Sequence, residues 1–368
     1  MMNIFHSIIT NLPLILAGII GIGFIIGFHE LGHFIFCKIF KVQTPSFSIG
    51  FGPKLFSKKI GETLFSLSAI PFGGYVEIAG IQEVGQGEQK EAGRRDELSF
   101  AAKPYYQKLL IMSGGILFNI LLSYFIMTLL FGLGAPKIPM LDTSSIIPTI
   151  SKVTPDSAAE KYGLQANDTI LAIDQKNIKS SQELHDAIKD KAHQEIVITI
   201  ERNGQVTNLP LTVGSVDTTA GKIGQLGIQF APTFETPVCL SSAISKSFKT
   251  VNLLLIKTFQ QYLSLFKNKL YGSIGGPLMM ISAVSNSAKD GFRAFLLLLV
   301  IINLNLAILN LIPIPILDGG QILFTTIEAI IRRPISENIR IGIHYVCWIL
   351  AIILTIWLTY NDIFRFLK

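Results

Sequence analysis

Gly21-Ile22-Gly23-Phe24-Ile25-Ile26-Gly27-Phe28-His29-Glu30-Leu31-Gly32-His33-Phe34-Ile35-Phe36 lies inside an apolar run that extends from Leu12 to Phe40. A run of that length is expected to form a helix that crosses a bilayer, because in hydrocarbon only helices and closed barrels satisfy their own backbone. On such a helix His29 and His33 are separated by about 40° of rotation, so both imidazoles face one side and can share a metal ion, with Glu30 beside them. Two histidines and a glutamate left unpaired at that depth would cost several kcal/mol. A metal-binding reading is therefore favoured over a purely structural hydrogen-bonding one.

Three further segments have spanning length: Leu109 to Leu133, Phe292 to Leu311 and Ile341 to Tyr360. Hydrophobic residues make up 49% of the 368 and charged residues only 15%, against about 25% in soluble domains. That composition excludes a wholly soluble, disordered or disulfide-framework protein. The formal charge of +6 comes from lysines and arginines beside the apolar runs, so membrane topology explains it better than a nucleic-acid surface. The three cysteines suggest neither a disulfide nor a thiolate metal site. No Lys or Arg precedes the first run and no A-x-A site follows it, so it is expected to remain in the mature chain. Lys38, Lys41, Lys54, Arg94 and Lys108 lie between the first two spans, and Arg332, Arg333 and Arg340 follow the third. By the positive-inside rule these loops are cytoplasmic, and the N-terminus, the long middle connection and the C-terminus are outside.

A catalytic zinc site takes three protein ligands and leaves one position open. His29 lies roughly 25 Å down the first span, and the same distance along the third reaches Asn310. There Asn310-Leu311-Ile312-Pro313-Ile314-Pro315-Ile316-Leu317-Asp318-Gly319-Gly320 breaks the helix with two prolines. Irregular backbone at that depth must be buried in protein or line a cavity. Asp318 is thus the expected third ligand. Its alternative role, capping a helix that starts near Gln321, is weaker beside an unsatisfied histidine pair.

The loop between the first two spans carries β alternation at Thr63 to Ile70 with turn residues on either side, and a small apolar hairpin or sheet is expected over about residues 46–80. Gln82 to Glu97 reads as a solvated loop. Residues 146–213 have the composition of an inserted soluble α+β domain, and residues 214–291 read as a linker with an amphipathic helix over Lys246 to Leu270. The membrane parts are then residues 1–135 and 292–368. The fold class expected is an α-helical membrane protein of four transmembrane helices with a membrane-associated β-hairpin and one inserted domain.

These motifs together closely resemble the site-2 protease family of intramembrane zinc metalloproteases, specifically the bacterial RseP type (peptidase M50-like), over nearly the whole chain. The resemblance implies Zn²⁺ held by His29, His33 and Asp318, with Glu30 as general base. It implies that Phe47 to Pro53 and Ile70 to Ile78 build a sheet whose edge holds substrate in extended form, and Phe65, Ser66 and Leu67 are expected near that edge. Asn305 and Asn310 match positions associated with substrate handling, although interhelical hydrogen bonding is an equal alternative for Asn305. Residues 151–159 and 162–170 resemble PDZ signatures, which makes the insert a PDZ-like domain, expected to filter substrates from the periplasmic side. The resemblance implies a bacterial inner-membrane enzyme of regulated intramembrane proteolysis in stress responses. Its partners would be single-pass transmembrane substrates such as anti-sigma factors or remnant signal peptides, cut after an upstream site-1 protease, with no nucleic acid. The sequence departs from the family pattern in having room for one PDZ domain instead of two. It also has Gly115-Ile116-Leu117-Phe118-Asn119 where the family has G-P-x-x-N. Two readings from other classes are a transporter and a membrane-anchored PDZ scaffold with an inactive metal site. The first calls for inverted repeats, which the sequence lacks, and the second for a damaged motif, whereas HELGH and Asp318 are both present.

Overall fold

The computed structural model of the chain describes residues 2–81, 94–138, 148–218, 221–230, 234–268 and 275–367. The expected loop from Gln82 to Glu97 lies mostly outside them. The elements run α1 (Met2–Ile39), β1 (Ser46–Ile60), β2 (Thr63–Val76), α2 (Tyr105–Leu133), β3 (Ile150–Val153), α3 (Ala158–Lys161), β4 (Thr169–Ile173), β5 (Lys176–Asn177) and α4 (Ser181–Ile188). They continue through β6 (Glu195–Arg202), β7 (Gln205–Thr212), β8 (Gly214–Thr218), β9 (Gly221–Gln225), β10 (Ile228–Phe230), α5 (Leu240–Asn268), α6 (Pro277–Lys289), α7 (Phe292–Leu311), α8 (Asp318–Ile331) and α9 (Glu337–Leu367). Four helices are long and apolar enough to cross a membrane, at Leu12–Ile39, Tyr105–Leu133, Phe292–Leu311 and Asn338–Phe364.

The chain divides into two compact units, one of residues 1–129 and 240–368, the other of residues 130–239. In the first, α1 and α2 approach until their backbones touch. A Cβ on Gly32 would collide with the Gly114 carbonyl, and one on Gly114 with that of Gly32. Where neighbouring lipid is as apolar as leucine, helices associate through such close packing and through polar contacts. Asn303 of α7 supplies the polar part, donating to the Asn119 carbonyl at 2.5 Å and to Ser123 Oγ at 2.8 Å on α2. The amphipathic helix expected over Lys246 to Leu270 forms as part of α5 up to Asn268, its last two residues lying outside the described ones, and it lies against the bundle. Ser247 donates to the Tyr124 carbonyl (2.8 Å), Tyr124 to Asn252 (2.7 Å) and Tyr262 to Asn305 of α7 (2.9 Å).

α9 is held differently from the other three long apolar helices. Only 6% of its most apolar window is buried, against 41–44% for the others. Two sets of polar contacts fasten it to α6 and α8. Asp362, fully buried, accepts from the backbone N–H groups of Gly276 (2.9 Å) and Met279 (3.0 Å) and so caps the first turn of α6. At the other end Arg340 pairs with Glu328 of α8 at 2.8 Å, and the His344 ring meets the Gln321 amide at 3.1 Å.

β1 and β2 are long strands that fold back on each other, joined at Gly61, whose φ of 59° suits glycine in a tight turn. Leu64–Leu67 pairs with Ser46–Ile49 on one side and with Phe56–Lys59 on the other, while Ser48 and Ile49 also pair with Tyr75 and Gly74. Phe65 and Phe47 pack with Phe34 of α1 at ring separations of 5.4–5.6 Å, and this fastens the sheet to the helix that carries His33.

The second unit is an α+β domain around a four-stranded sheet in the order β5-β4-β6-β7. Alternate residues Ile196, Ile198 and Ile200 of β6 enter its core with Ile170, Ile173 and Leu211. The domain extends beyond the expected end at Val213. Leu226 is a core residue, Ile228 and Phe230 pack on that core, and β10 pairs with β3 at the start of the domain. Asp168 is fully buried and pairs with Arg202 through two hydrogen bonds of 2.7 Å, while accepting from the Gln165 N–H at 2.8 Å. Burial alone would raise the Asp168 carboxyl, but the Arg202 and backbone hydrogen bonds outweigh it and hold the carboxyl below its ordinary value of 3.8.

A carboxyl depressed on folding contributes stability in full above its unfolded-state pKa and loses that contribution as pH falls through the folded one. Asp168→Asn is therefore expected to destabilise this domain by about 2 kcal/mol at pH 7. The difference from wild type should shrink as pH drops below about 4. Limited proteolysis of the domain in the intact protein, followed against temperature at both pH values, measures it. An equal difference at both pH values would contradict this account.

Candidate metal centre

HELGH occupies the C-terminal third of α1, and the break between α7 and α8 brings Asp318 to it. α7 stops at Leu311, the prolines carry the chain across in extended and turn conformations, and α8 begins at Asp318. Gly319 and Gly320 let this turn fold back on itself, since a Cβ on either would strike the carbonyls of Leu311, Ile312 or Ile314. α8 therefore starts at Asp318 and not near Gln321. The Asp318 carboxylate does not cap its own helix but lies between the two histidines, with Oδ2 3.2 Å from His29 Nε2 and Oδ1 3.4 Å from His33 Nε2.

The two Nε2 atoms are 3.3 Å apart, and the donor atoms of His29, His33 and Asp318 all lie within 4.8 Å of one another. The opposite ring nitrogens are engaged elsewhere. His33 Nδ1 donates to the Ile111 carbonyl at 2.8 Å, which fixes that tautomer and leaves Nε2 with a lone pair. His29 Nδ1 meets the Asn119 amide at 3.0 Å, and Asn119 Oδ1 is buried without another partner. With that amide turned so that its oxygen faces the ring, His29 Nδ1–H donates to it and a second lone pair is directed inward. Asp318 Oδ2 is itself buried and makes no hydrogen bond. Two lone pairs and a carboxylate oxygen converging in an apolar interior repel one another unless a cation lies between them. Two imidazoles and one carboxylate are the ligand set of a catalytic zinc ion, and the residues present fit one.

Glu30 is not among the converging atoms. Its side chain lies beside the outer strand of the sheet, where a Cβ on Gly74 would come within 3.1 Å of Glu30 Cγ. His29, Glu30, His33 and Asp318 share a cavity of about 320 Å³ with Asn310, and Gly73, Gly74 and Val76 form part of its wall. Asn310 lies with its amide 3.4 Å from His29 Nε2. Asn305 does not line this cavity; its amide accepts from Tyr262 and donates to the Ile301 carbonyl. The expected edge at Phe65, Ser66 and Leu67 is corrected by the pairing. Those residues have strand partners on both sides, so their backbone offers nothing to a further strand, and the outer strand beside Glu30 is Gly73–Val76.

Gly115 and Asn119 have roles the sequence did not reveal. A Cβ on Gly115 would overlap the His29 and His33 rings, so this glycine makes room for the pair, and Asn119 orients His29. The available signal was a glycine and an asparagine four residues apart on an otherwise apolar span. Gly115→Ala and Asn119→Ala are each expected to weaken zinc affinity by about 10–100-fold, measured by competition with a chelator. Unchanged affinity in both would remove them from the site.

Comparison with known proteins fits this geometry. The sequence profile of Peptidase family M50 matches residues 17–354. A protein of Campylobacter jejuni that carries the name zinc metalloprotease is 32% identical over 95% of this chain and 93% of its own length. Zinc metalloprotease RasP of Oceanobacillus iheyensis is 25% identical over 95% of this chain and 99% of its own. Among solved structures, the PDZ domain of the SdrC-like protein of Listeria monocytogenes covers 23% of this chain and 87% of its own, at 24% identity and a TM-score of 0.21. With a profile match over most of its length and a relative at that identity, the chain belongs to peptidase family M50.

Proposed function

We propose that the protein is a zinc-dependent endopeptidase that cuts transmembrane segments of single-pass membrane proteins within the bilayer. The observation that carries this reading is the convergence of the His29, His33 and Asp318 donor atoms on one small cavity that also holds Glu30 and is walled by the outer strand Gly73–Val76. A zinc ion held by those three residues would supply Lewis acidity for the scissile carbonyl and for the attacking water. The Glu30 carboxylate takes the proton of that water and later delivers it to the leaving amide nitrogen. Asn310, beside His29, is placed to donate to the carbonyl oxygen as negative charge develops on it. A helical peptide bond is sterically covered, so the substrate must be unwound first. The Gly73–Val76 strand offers main-chain partners to the extended segment.

The distribution of basic residues supports an inner-membrane orientation with the metal centre toward the cytoplasmic side, and the inserted PDZ-like domain and both termini in the periplasm. On that reading the insert selects substrates, after an upstream cut by a site-1 protease, and takes no part in the chemistry.

Glu30→Gln should keep its zinc and lower cleavage of a membrane-spanning reporter by about 10²–10⁴-fold. Asp318→Asn should lose metal and activity together. Zinc content and reporter cleavage are measured on the same purified samples. Turnover by Glu30→Gln within tenfold of wild type, or full zinc occupancy in Asp318→Asn, would refute the assigned roles.

A further inference from the structure

α2 and α9 begin, and α8 ends, around a second cavity of about 850 Å³. Six basic side chains line it, Arg94, Arg95, Lys108, Arg332, Arg333 and Arg340, against a single carboxylate, Glu328. That carboxylate is already occupied, since one of its oxygens accepts from Arg340 at 2.8 Å and from the Ile335 N–H at 3.0 Å. Arg94 is bonded to Asp96 and to Gln43. Among the described residues, Lys108, Arg332 and Arg333 make no ion pair, and Arg340 Nε is buried without a hydrogen-bond partner.

Like charges gathered in one concavity repel each other, and low-dielectric walls intensify the field inside. The backbone adds to it. Two long helices, of 29 and 31 residues, start here and direct the positive ends of their dipoles inward, while Arg332 and Arg333 offset the carbonyl end of α8. Such a site selects an anion with several acceptor oxygens, and a phosphate suits arginine best because it accepts bidentate hydrogen bonds.

The position of the cavity selects the source of that phosphate. The apolar spans begin at Tyr105 and Asn338, and both residues line the cavity. Tyr105 and Tyr106 are exposed beside it, in the amphipathic role that aromatic residues take at a membrane–water boundary. The cations are therefore level with lipid headgroups. We propose that this cavity binds the phosphate of an anionic phospholipid at the ends of α2 and α9. The proposal requires those helices to cross a bilayer but does not depend on the peptidase chemistry.

The test titrates the purified full-length protein in detergent with phosphatidylglycerol or phosphatidylcholine and counts retained lipid by native mass spectrometry. Wild type should retain one phosphatidylglycerol at concentrations where phosphatidylcholine is lost. Arg332→Gln and Arg333→Gln, both at exposed positions, should each weaken retention about fivefold, while the double variant to lysine retains it. Equal retention of the two lipids by wild type, or undiminished retention by both glutamine variants, would overturn the proposal. In a parallel arm, inorganic phosphate at millimolar concentration should fail to displace the lipid. Full displacement would overturn the lipid assignment in favour of a soluble phosphate ligand.

Discussion

Two imidazoles and a carboxylate, brought together among long apolar helices, are the constraint on which the rest of this structure depends. Their lone pairs cannot turn to water and cannot be left opposed, so every element nearby serves either to hold them or to keep the surrounding backbone satisfied. The Ile111 carbonyl and Asn119 orient the two rings. Asn303 then braces the Asn119 backbone and Ser123 from a third helix. The proline break between α7 and α8 brings Ile316, Leu317 and Asp318 to the cavity wall, and the glycines after Asp318 let the chain fold back closely on Leu311 to Ile314.

Much of this was legible in the sequence because the informative residues are chemically out of place. A histidine pair, a glutamate and an aspartate inside apolar runs stand out against their neighbours, and the depth of Asp318 follows from counting residues along a helix of known rise. Gly115 did not stand out, since a glycine in an apolar helix looks the same whether it faces lipid or a metal ligand, and only the packing of α2 on α1 distinguishes the two. The sheet shows a related limit. Alternation at Thr63 to Ile70 identified a strand, but period-two patterning says which face is buried and not how many strands lie on each side. Both long strands fold back, so that stretch is interior and the shorter return at Gly73–Val76 is outermost.

The boundary of the inserted domain was missed for a topological reason. Composition changes near Val213, where a run of strands and core positions gives way to glycine-rich sequence. Yet the domain is closed by a late strand returning to its first one, a pairing between residues about 75 apart that no local window detects. The amphipathic pattern of α5 was easier to read, but which of its polar residues touch other helices was not. Tyr262 uses Asn305 as its partner, and this is why an asparagine expected near substrate lies outside the cavity.

The manner in which α9 is attached has a mechanical meaning. A span pressed into its neighbours along a whole face can be separated only by undoing that packing at once. α9 instead resembles a beam resting on two supports, with Asp362 on α6 at one end and the Arg340 and His344 contacts with α8 at the other. Each support is a small set of hydrogen bonds, each contributing a net 0.5–3 kcal/mol or so. Releasing one would let the beam pivot about the other while α1, α2 and α7 stay locked. Because His344 and Trp348 of that same helix line the cavity of the candidate metal centre, the wall of the cavity that costs least to displace is the one carried by the least buried of the long apolar helices.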